Sequence, residues 1–239
     1  MIFEKMYTVG NRDVGNNNRA TNKAILKYLE NIACSHSDMV GYGMNTIEKT
    51  NVVWILLDWK FQVIDRPTYG QTIKVKTWSR KMERSYAYRD FEVYDENERI
   101  LARATTKWVF LDAGTRKIQR IPEEISLKYQ QETQKHVFEE EIEKIHEPED
   151  ENTSIQVKIR RTDIDINNHV NNLNYLDLAY EVLPEDIYSS NLKNVRITYK
   201  HQTEPGEIVD VAYVKRENKN VITIKTNDKA KLHAIVELW

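Results

Sequence analysis

The sequence predicts an α+β protein made of two similar units. Three observations carry that expectation. First, WKFQVIDRPTYGQTIKV (Trp59–Val75) and VRITYKHQTEPGEIVDV (Val195–Val211) align without a gap when Gly70 is set on Gly206, an offset of 136 (206 − 70). Phe61 then meets Ile197, Val63 meets Tyr199, Ile73 meets Val209 and Val75 meets Val211. Each copy reads as an alternating strand, a Gly-containing turn and a second alternating strand, the pattern of a hairpin. Second, a run with helical spacing precedes each copy: ATNKAILKYLENIACSH (Ala20–His36) and VNNLNYLDLAYEVL (Val170–Leu183). Their KYLE and NYLD segments set Tyr28 on Tyr175, an offset of 147 (175 − 28). Third, further strand-like runs follow each copy, SYAYRDFEVYD and RILARATTKWVFLD in the first, NVITIKTND and LHAIVELW in the second. One amphipathic helix and an antiparallel meander make one α+β layer. Two such layers can pair edge to edge and so cover exposed strands.

In chain order, the first unit spans residues 1–128. Its helix is followed by 11 residues (147 − 136) that the second unit lacks, around MVGYGMNTIEKTN, and then by the hairpin and the later strands. Residues 129–153 are charged and Gln-rich, and read as a solvated connector, helical or irregular. The second unit spans residues 154–239.

With 40% apolar residues the chain can bury a core and is not of a disordered class. A formal net charge of −2 gives no sign of a general nucleic-acid or anionic-membrane binder. One cysteine, Cys34, excludes an intramolecular disulfide and a cysteine-based zinc site. No apolar run approaches the length of a membrane span, and the start MIFEKMYTVGNRD has no signal-peptide core, so a cytoplasmic protein is expected. His36, His136, His146, His201 and His233 are scattered and form no metal-like pair with a carboxylate, so no metal is expected.

The densest chemistry lies in TDIDINNHVNNLNYLDLAYEVL (Thr162–Leu183). If TDIDINNH is extended, Asp163, Asp165 and Asn167 share one face and Ile164 and Ile166 the other. After Asn167 or Asn168 the apolar spacing becomes helical, through Val170, Leu173, Leu176 and Leu183. Asn and Asp are favoured N-caps, and capping alone accounts for such a run in most proteins. One cap needs only one of them, however. At the offset of 147, Asp165, Asn167 and His169 also stand opposite Asn18, Ala20 and Asn22, so the acid and the imidazole belong to the second copy alone. A carboxylate can hold or deprotonate water, an imidazole can relay a proton, an amide can orient either, and a helix start favours an oxyanion. No serine or cysteine nucleophile motif is present, so direct attack by water on a carbonyl is the economical chemistry.

DIDINNHVNNLNYLDLAYEVLP resembles the signature of the acyl-ACP thioesterases, the plant-plastid and bacterial family that ends fatty-acid synthesis. Its pattern Asp-x-Asp-x-Asn-x-His-Val-Asn-Asn-x-x-Tyr is met by Asp163, Asp165, Asn167, His169, Val170, Asn171, Asn172 and Tyr175. WKFQVIDRPTYGQTIKVKTW, YRDFEVYD and LARATTKWVFLDAGTRKIQRIP resemble the family's first module. The resemblance implies a tandem double hotdog, each unit a helix wrapped by a curved antiparallel sheet. It implies that the first unit binds the acyl chain and the second is catalytic, through Asp165, Asn167 and His169. Asp165 would serve the water, His169 the proton or the thioester carbonyl, and Asn167 the orientation of either. It further implies acyl carrier protein as the substrate's carrier and no cofactor; the sequence leaves monomer and homodimer as alternatives. An acyl-CoA thioesterase or a catalytically weak acyl-binding protein is the alternative.

One position departs from the family. Many members carry a catalytic Glu where this chain has Gln202, which can orient water or substrate but cannot act as a base. A basic docking surface for the acidic carrier would draw on Lys74, Lys76, Arg80, Lys81, Arg84, Arg160 and Arg161. Trp54, Trp59, Trp78 and Trp108 are expected in the core; the alternative is that some line the acyl tunnel and set chain length.

Overall fold

The computed structural model describes residues 1–239 and divides into two units, Met1–Ile142 and Glu143–Trp239. The first contains β1 (Phe3–Thr8), α1 (Asn22–Met39), α2 (Ile47–Thr50), β2 (Val52–Val63), β3 (Thr72–Glu83), β4 (Tyr86–Tyr94), β5 (Ile100–Asp112) and α3 (Glu123–Tyr129). The second contains β6 (Thr153–Lys158), α4 (Asn174–Glu181), α5 (Glu185–Tyr188), β7 (Asn194–Tyr199), β8 (Ile208–Arg216), β9 (Lys219–Thr226) and β10 (Leu232–Leu238).

The units share one topology. Strand order is β1-β3-β4-β5-β2 in the first and β6-β8-β9-β10-β7 in the second, antiparallel throughout. The expected α+β class and the duplication are therefore present, but the expected hairpins are not. β2 pairs with β5, not with the β3 that follows it, and β7 likewise pairs with β10. The intervening segment is too long for a tight turn and finds partners elsewhere. Ile64 N and Asp65 N donate to Leu101 O, and Gly70 N donates to Val9 O at 2.9 Å. Gly70 and Gly206 sit at φ +79° and +78°, where a side chain would be strained, which explains glycine at both aligned positions.

Helix α1 starts where Thr21 accepts a hydrogen bond from Ala24 N at 3.1 Å. Ile25, Leu29, Ile32 and His36 recur at helical spacing and are fully buried, facing β1 and β3. The chain leaves the helix through Gly41 at φ +86°. Trp59 and Trp78 are core residues at 0% exposure, whereas Trp54 and Trp108 are half-buried.

Residues of the charged stretch pack rather than float. In the first unit Trp78 Nε1 donates to Lys135 O (3.1 Å) and Val137 N donates to the buried Asp90 carboxylate (3.1 Å). In the second, Arg196 donates to Glu143 O (2.6 Å), and Ile145 joins Val214, Val221 and Ile235 in a buried cluster.

Candidate active site

The polar run does not form a strand leading straight into a helix. Arg161–Asp163 make a turn of 3-10 helix, Ile164 and Val170 form an isolated bridge, and Asp165–His169 is the tight loop between them. Asp165 N donates to His169 O (2.9 Å), Asn168 N donates to Asp165 O (3.0 Å), and Asn168 takes φ +61°. The Asp165 carboxylate accepts from Asn167 N at 2.8 Å and from Asn167 Nδ2 at 3.4 Å. This is an Asx turn, and it is why short polar residues replace a strand here. Ile166, expected on an apolar face, is 84% exposed.

The remaining polar residues brace this loop. Asp163 is buried and accepts from Arg160 N (2.8 Å) and from its guanidinium (2.7 Å). Asn171 accepts from Leu173 N (3.0 Å), and Asn174 Nδ2 donates to Asp163 O (3.0 Å). The local Asn171 bond competes with helix formation, so α4 begins at Asn174 rather than at Val170. The helix start is thus five residues beyond His169 (174 − 169), and its N–H groups do not adjoin the Asp165 loop in sequence as expected. Asp165 and His169 are half-buried and Asn167 is exposed. His169 Nδ1 is buried without a hydrogen-bond partner, which leaves Nε2 as the accessible ring nitrogen.

The first unit contains the same loop. Gly15 N donates to Arg19 O (3.0 Å), Asn18 N donates to Gly15 O (3.0 Å), Asn18 takes φ +58°, and Val14 bridges Ala20. The structural offset here is 150 (165 − 15), not 147, and it holds up to the helix, where Thr21 N donates to Asp13 O and Asn171 N to Asp163 O, both at 2.9 Å. Asp165, Asn167 and His169 therefore correspond to Gly15, Asn17 and Arg19, not to Asn18, Ala20 and Asn22. The acid and the imidazole remain unique to the second unit, but the amide does not: Asn17 Oδ1 accepts from Arg19 N at 3.0 Å.

Gln202 is exposed, and no hydrogen bond joins it to Asp165, Asn167 or His169. Its neighbour Thr203 accepts from Val170 N at 3.1 Å, directly after His169. The first unit gives the relation between these positions. Arg19 and Arg66, the counterparts of His169 and Gln202, cross there, with Arg19 Nη1 donating to Arg66 O (2.9 Å) and Arg66 Nη1 to Ala20 O (2.9 Å). Two features escaped the sequence reading. Tyr175, inside the motif, donates to Thr203 Oγ1 (2.8 Å) and accepts from Thr203 N (3.1 Å), with burial pushing its hydroxyl pKa up. Glu207 and His233 pair 2.9 Å apart, although they lie 26 residues apart in sequence.

The first unit has a partly open apolar recess, lined by Ala33, Trp54, Met82, Ala87, Trp108 and Tyr129 among others. The Tyr42–Met44 loop, part of the segment the second unit lacks, also lines it. The expected basic docking surface is altered by the structure. Arg80 is 4% exposed, between Asp90 (3.8 Å) and Glu141 (3.1 Å). Lys74 pairs with Glu98, Lys81 with Glu83 (2.7 Å) and Arg160 with Asp163. Only Arg84 and Arg161 of that set are exposed with no acidic partner.

The model of the acyl-ACP thioesterase N-terminal domain matches residues 1–129, and that of the C-terminal domain matches residues 145–237. Oleoyl-acyl carrier protein thioesterase 1 of Arabidopsis thaliana is 26% identical over 230 residues, covering 88% of this chain and 63% of the relative. A palmitoyl-acyl carrier protein thioesterase of Cuphea hookeriana is 24% identical over 84% of this chain and 52% of the relative. Both are chloroplastic proteins, and the chain spans only 52–63% of their length. In fold, the chain is similar to an acyl-ACP thioesterase of Bacteroides thetaiotaomicron (TM-score 0.88, 20% identity, 99% and 96% of the two chains). It is also similar to a 12:0-ACP thioesterase of Umbellularia californica (TM-score 0.86, 22% identity, 99% and 96%). The two helix-and-sheet units are hotdog units in tandem.

Proposed function

The chain belongs to the acyl-ACP thioesterase family, and from that premise we propose that it hydrolyses the thioester of fatty acyl-acyl carrier protein. The observation that carries this reading is the Asp165–His169 loop. The same backbone loop occurs in both units, and only the second furnishes it with a carboxylate and an imidazole. Water held by Asp165 attacks the thioester carbonyl carbon as the carboxylate takes its proton. The carbon–sulfur bond then breaks, and His169 Nε2 either delivers a proton to the departing thiolate, which the proton taken up by Asp165 then replaces, or steadies the carbonyl oxygen while that proton passes to the thiolate. Asn167 holds the Asp165 carboxylate in place through its backbone N–H, and Gln202 orients water or substrate from across the loop. A fatty acid and the free thiol of the carrier are the products.

The acyl chain belongs in the recess of the first unit, whose aromatic and aliphatic lining suits a hydrocarbon. No helix is long and apolar enough to cross a membrane. Release of free fatty acid from matched acyl-ACP and acyl-CoA panels tests the reading. Release from acyl-ACP with much slower release from acyl-CoA is the expected result. Equal or faster release from acyl-CoA would overturn the carrier assignment. Tight acyl-carrier binding without release would mean that Gln202 marks a binding protein.

A further inference from the structure

The second unit departs from the first at one more place, and the difference is an acid–imidazole pair whose imidazole is buried. His233 on β10 is 1% exposed, with Nε2 2.9 Å from Glu207 Oε1 and Nδ1 3.3 Å from the His201 carbonyl oxygen. The other Glu207 oxygen accepts from Glu204 N at 3.0 Å. The offset of 136 (206 − 70) makes Gln71 the counterpart of Glu207 and Thr68 that of Glu204. Gln71 Oε1 accepts from Thr68 N at 3.1 Å, so this bracing of the turn is common to both units.

Strand register gives the counterpart of His233. Ala234 pairs with Tyr199 and Ala102 with Val63, and Tyr199 lies 136 residues after Val63 (199 − 63). Leu101 therefore occupies the place of His233. The backbone around it is the same, since Leu101 O accepts from Ile64 N (2.8 Å) and Asp65 N (3.0 Å), and His233 O from Lys200 N (2.8 Å) and His201 N (3.3 Å). One backbone thus carries Gln71 and Leu101 in the first unit, and Glu207 and His233 in the second.

An amide and a leucine hold this shape without an ionisable group. A buried imidazole beside a carboxylate incurs desolvation that leucine avoids, so packing alone does not call for it. The segment under the pair supplies the reason. Gln202 and Thr203 lie in it, Thr203 O holds Val170 N, and Thr203 is tied twice to the Tyr175 hydroxyl. The acid–imidazole bond is added to the shared turn bracing, and a hydrogen bond to a carboxylate is stronger than a neutral one. It would limit movement of Gln202–Thr203 against the Asp165–His169 loop.

We propose that Glu207 and His233 form a positioning pair that clamps the Gln202–Thr203 segment against the Asp165–His169 loop during thioester hydrolysis. The proposal rests on the reading of that loop as the hydrolytic site. Neither residue touches the reacting atoms. The pair keeps His169 and Gln202 in register while charge develops on the carbonyl oxygen.

The first unit supplies the control. Glu207→Gln with His233→Leu installs the residues that the same backbone already accommodates at Gln71 and Leu101. We would measure kcat and KM on acyl-ACP, and the thermal midpoint, for the wild type, both single variants and the double variant. The double variant should keep its midpoint and its KM while kcat falls on the order of tenfold or more, the scale of a small misplacement of reacting groups. Each single variant should lose as much, with no further loss in the double, because the pair acts as one device. A double variant with wild-type kcat would overturn the proposal, and so would a kcat loss that merely follows loss of folded protein. If the wild type releases no fatty acid from any thioester, the hydrolytic reading falls and the proposal with it. If wild type and double variant are equally active, the proposal alone falls.

Discussion

Asp165 has two tasks in one side chain: it closes its own loop by accepting from Asn167 N, and it is the acid proposed to serve water. The sequence singled out this residue but not the division of labour around it. Asp163, equally prominent in the motif, is spent on Arg160 and the backbone, which follows from a 3-10 turn that alternation did not reveal. The Glu207–His233 pair was not legible at all, because strand register alone brings it together. Another buried imidazole makes a separate prediction. His36 Nδ1 accepts from the Arg89 guanidinium at 2.9 Å, its ring stacks on Phe3, and Tyr129 meets it edge-on. Burial first, then the Arg89 charge, then that of the N-terminus, push its pKa down to about 3. The folded state therefore keeps His36 neutral while the unfolded state takes up a proton below about 6.5. Its stability contribution is whole above that pH and is lost as the pH falls toward about 3, at about 1.4 kcal/mol per unit of difference in pKa. Urea unfolding at pH 7, 5 and 4 should show a steeper acid loss in the wild type than in His36→Phe. Equal slopes would contradict the assignment.

At the scale of elements, the repeat, the helix–strand order and the glycine turns were all readable from periodicity. Strand partners were not. An alternating pattern states which face is buried, but not which neighbour supplies the hydrogen bonds, so β2 was set against β3 when it pairs with β5. The start of α4 differs for another reason: Asn171 bonds Leu173 N locally and delays the helix to Asn174. The shared loop carries its own test. Asn168 at φ +61° and Asn18 at φ +58° occupy the left-handed region that β-branched residues avoid. Asn168→Gly should leave stability within about 0.5 kcal/mol, and Asn168→Val should cost about 1–2 kcal/mol by urea unfolding. Equal stability of the two variants would mean that the loop relaxes to another conformation.

For the whole molecule, the proposed division of work follows the duplication. The first unit keeps the recess and places Gly15 and Arg19 in its loop, and the second places Asp165 and His169 there. The family was legible in the motif, and its two domain models match residues 1–129 and 145–237. The recess was foreseen only as an implication of that resemblance, since it depends on how Ala33, Ala87 and Trp108 come together from separate elements. The direct test of this division is a chain-length series of acyl-ACP substrates cleaved by the wild type, Asp165→Asn and Ala87→Phe. Asp165→Asn retains the oxygen that accepts from Asn167 N, so the loop persists without its base. Its kcat should fall on the order of 10²-fold or more, by the same factor at every length. Ala87→Phe fills the recess, and should remove activity on long chains while leaving short ones near the wild-type rate. Wild-type rates in Asp165→Asn, or a uniform loss across lengths in Ala87→Phe, would contradict the account.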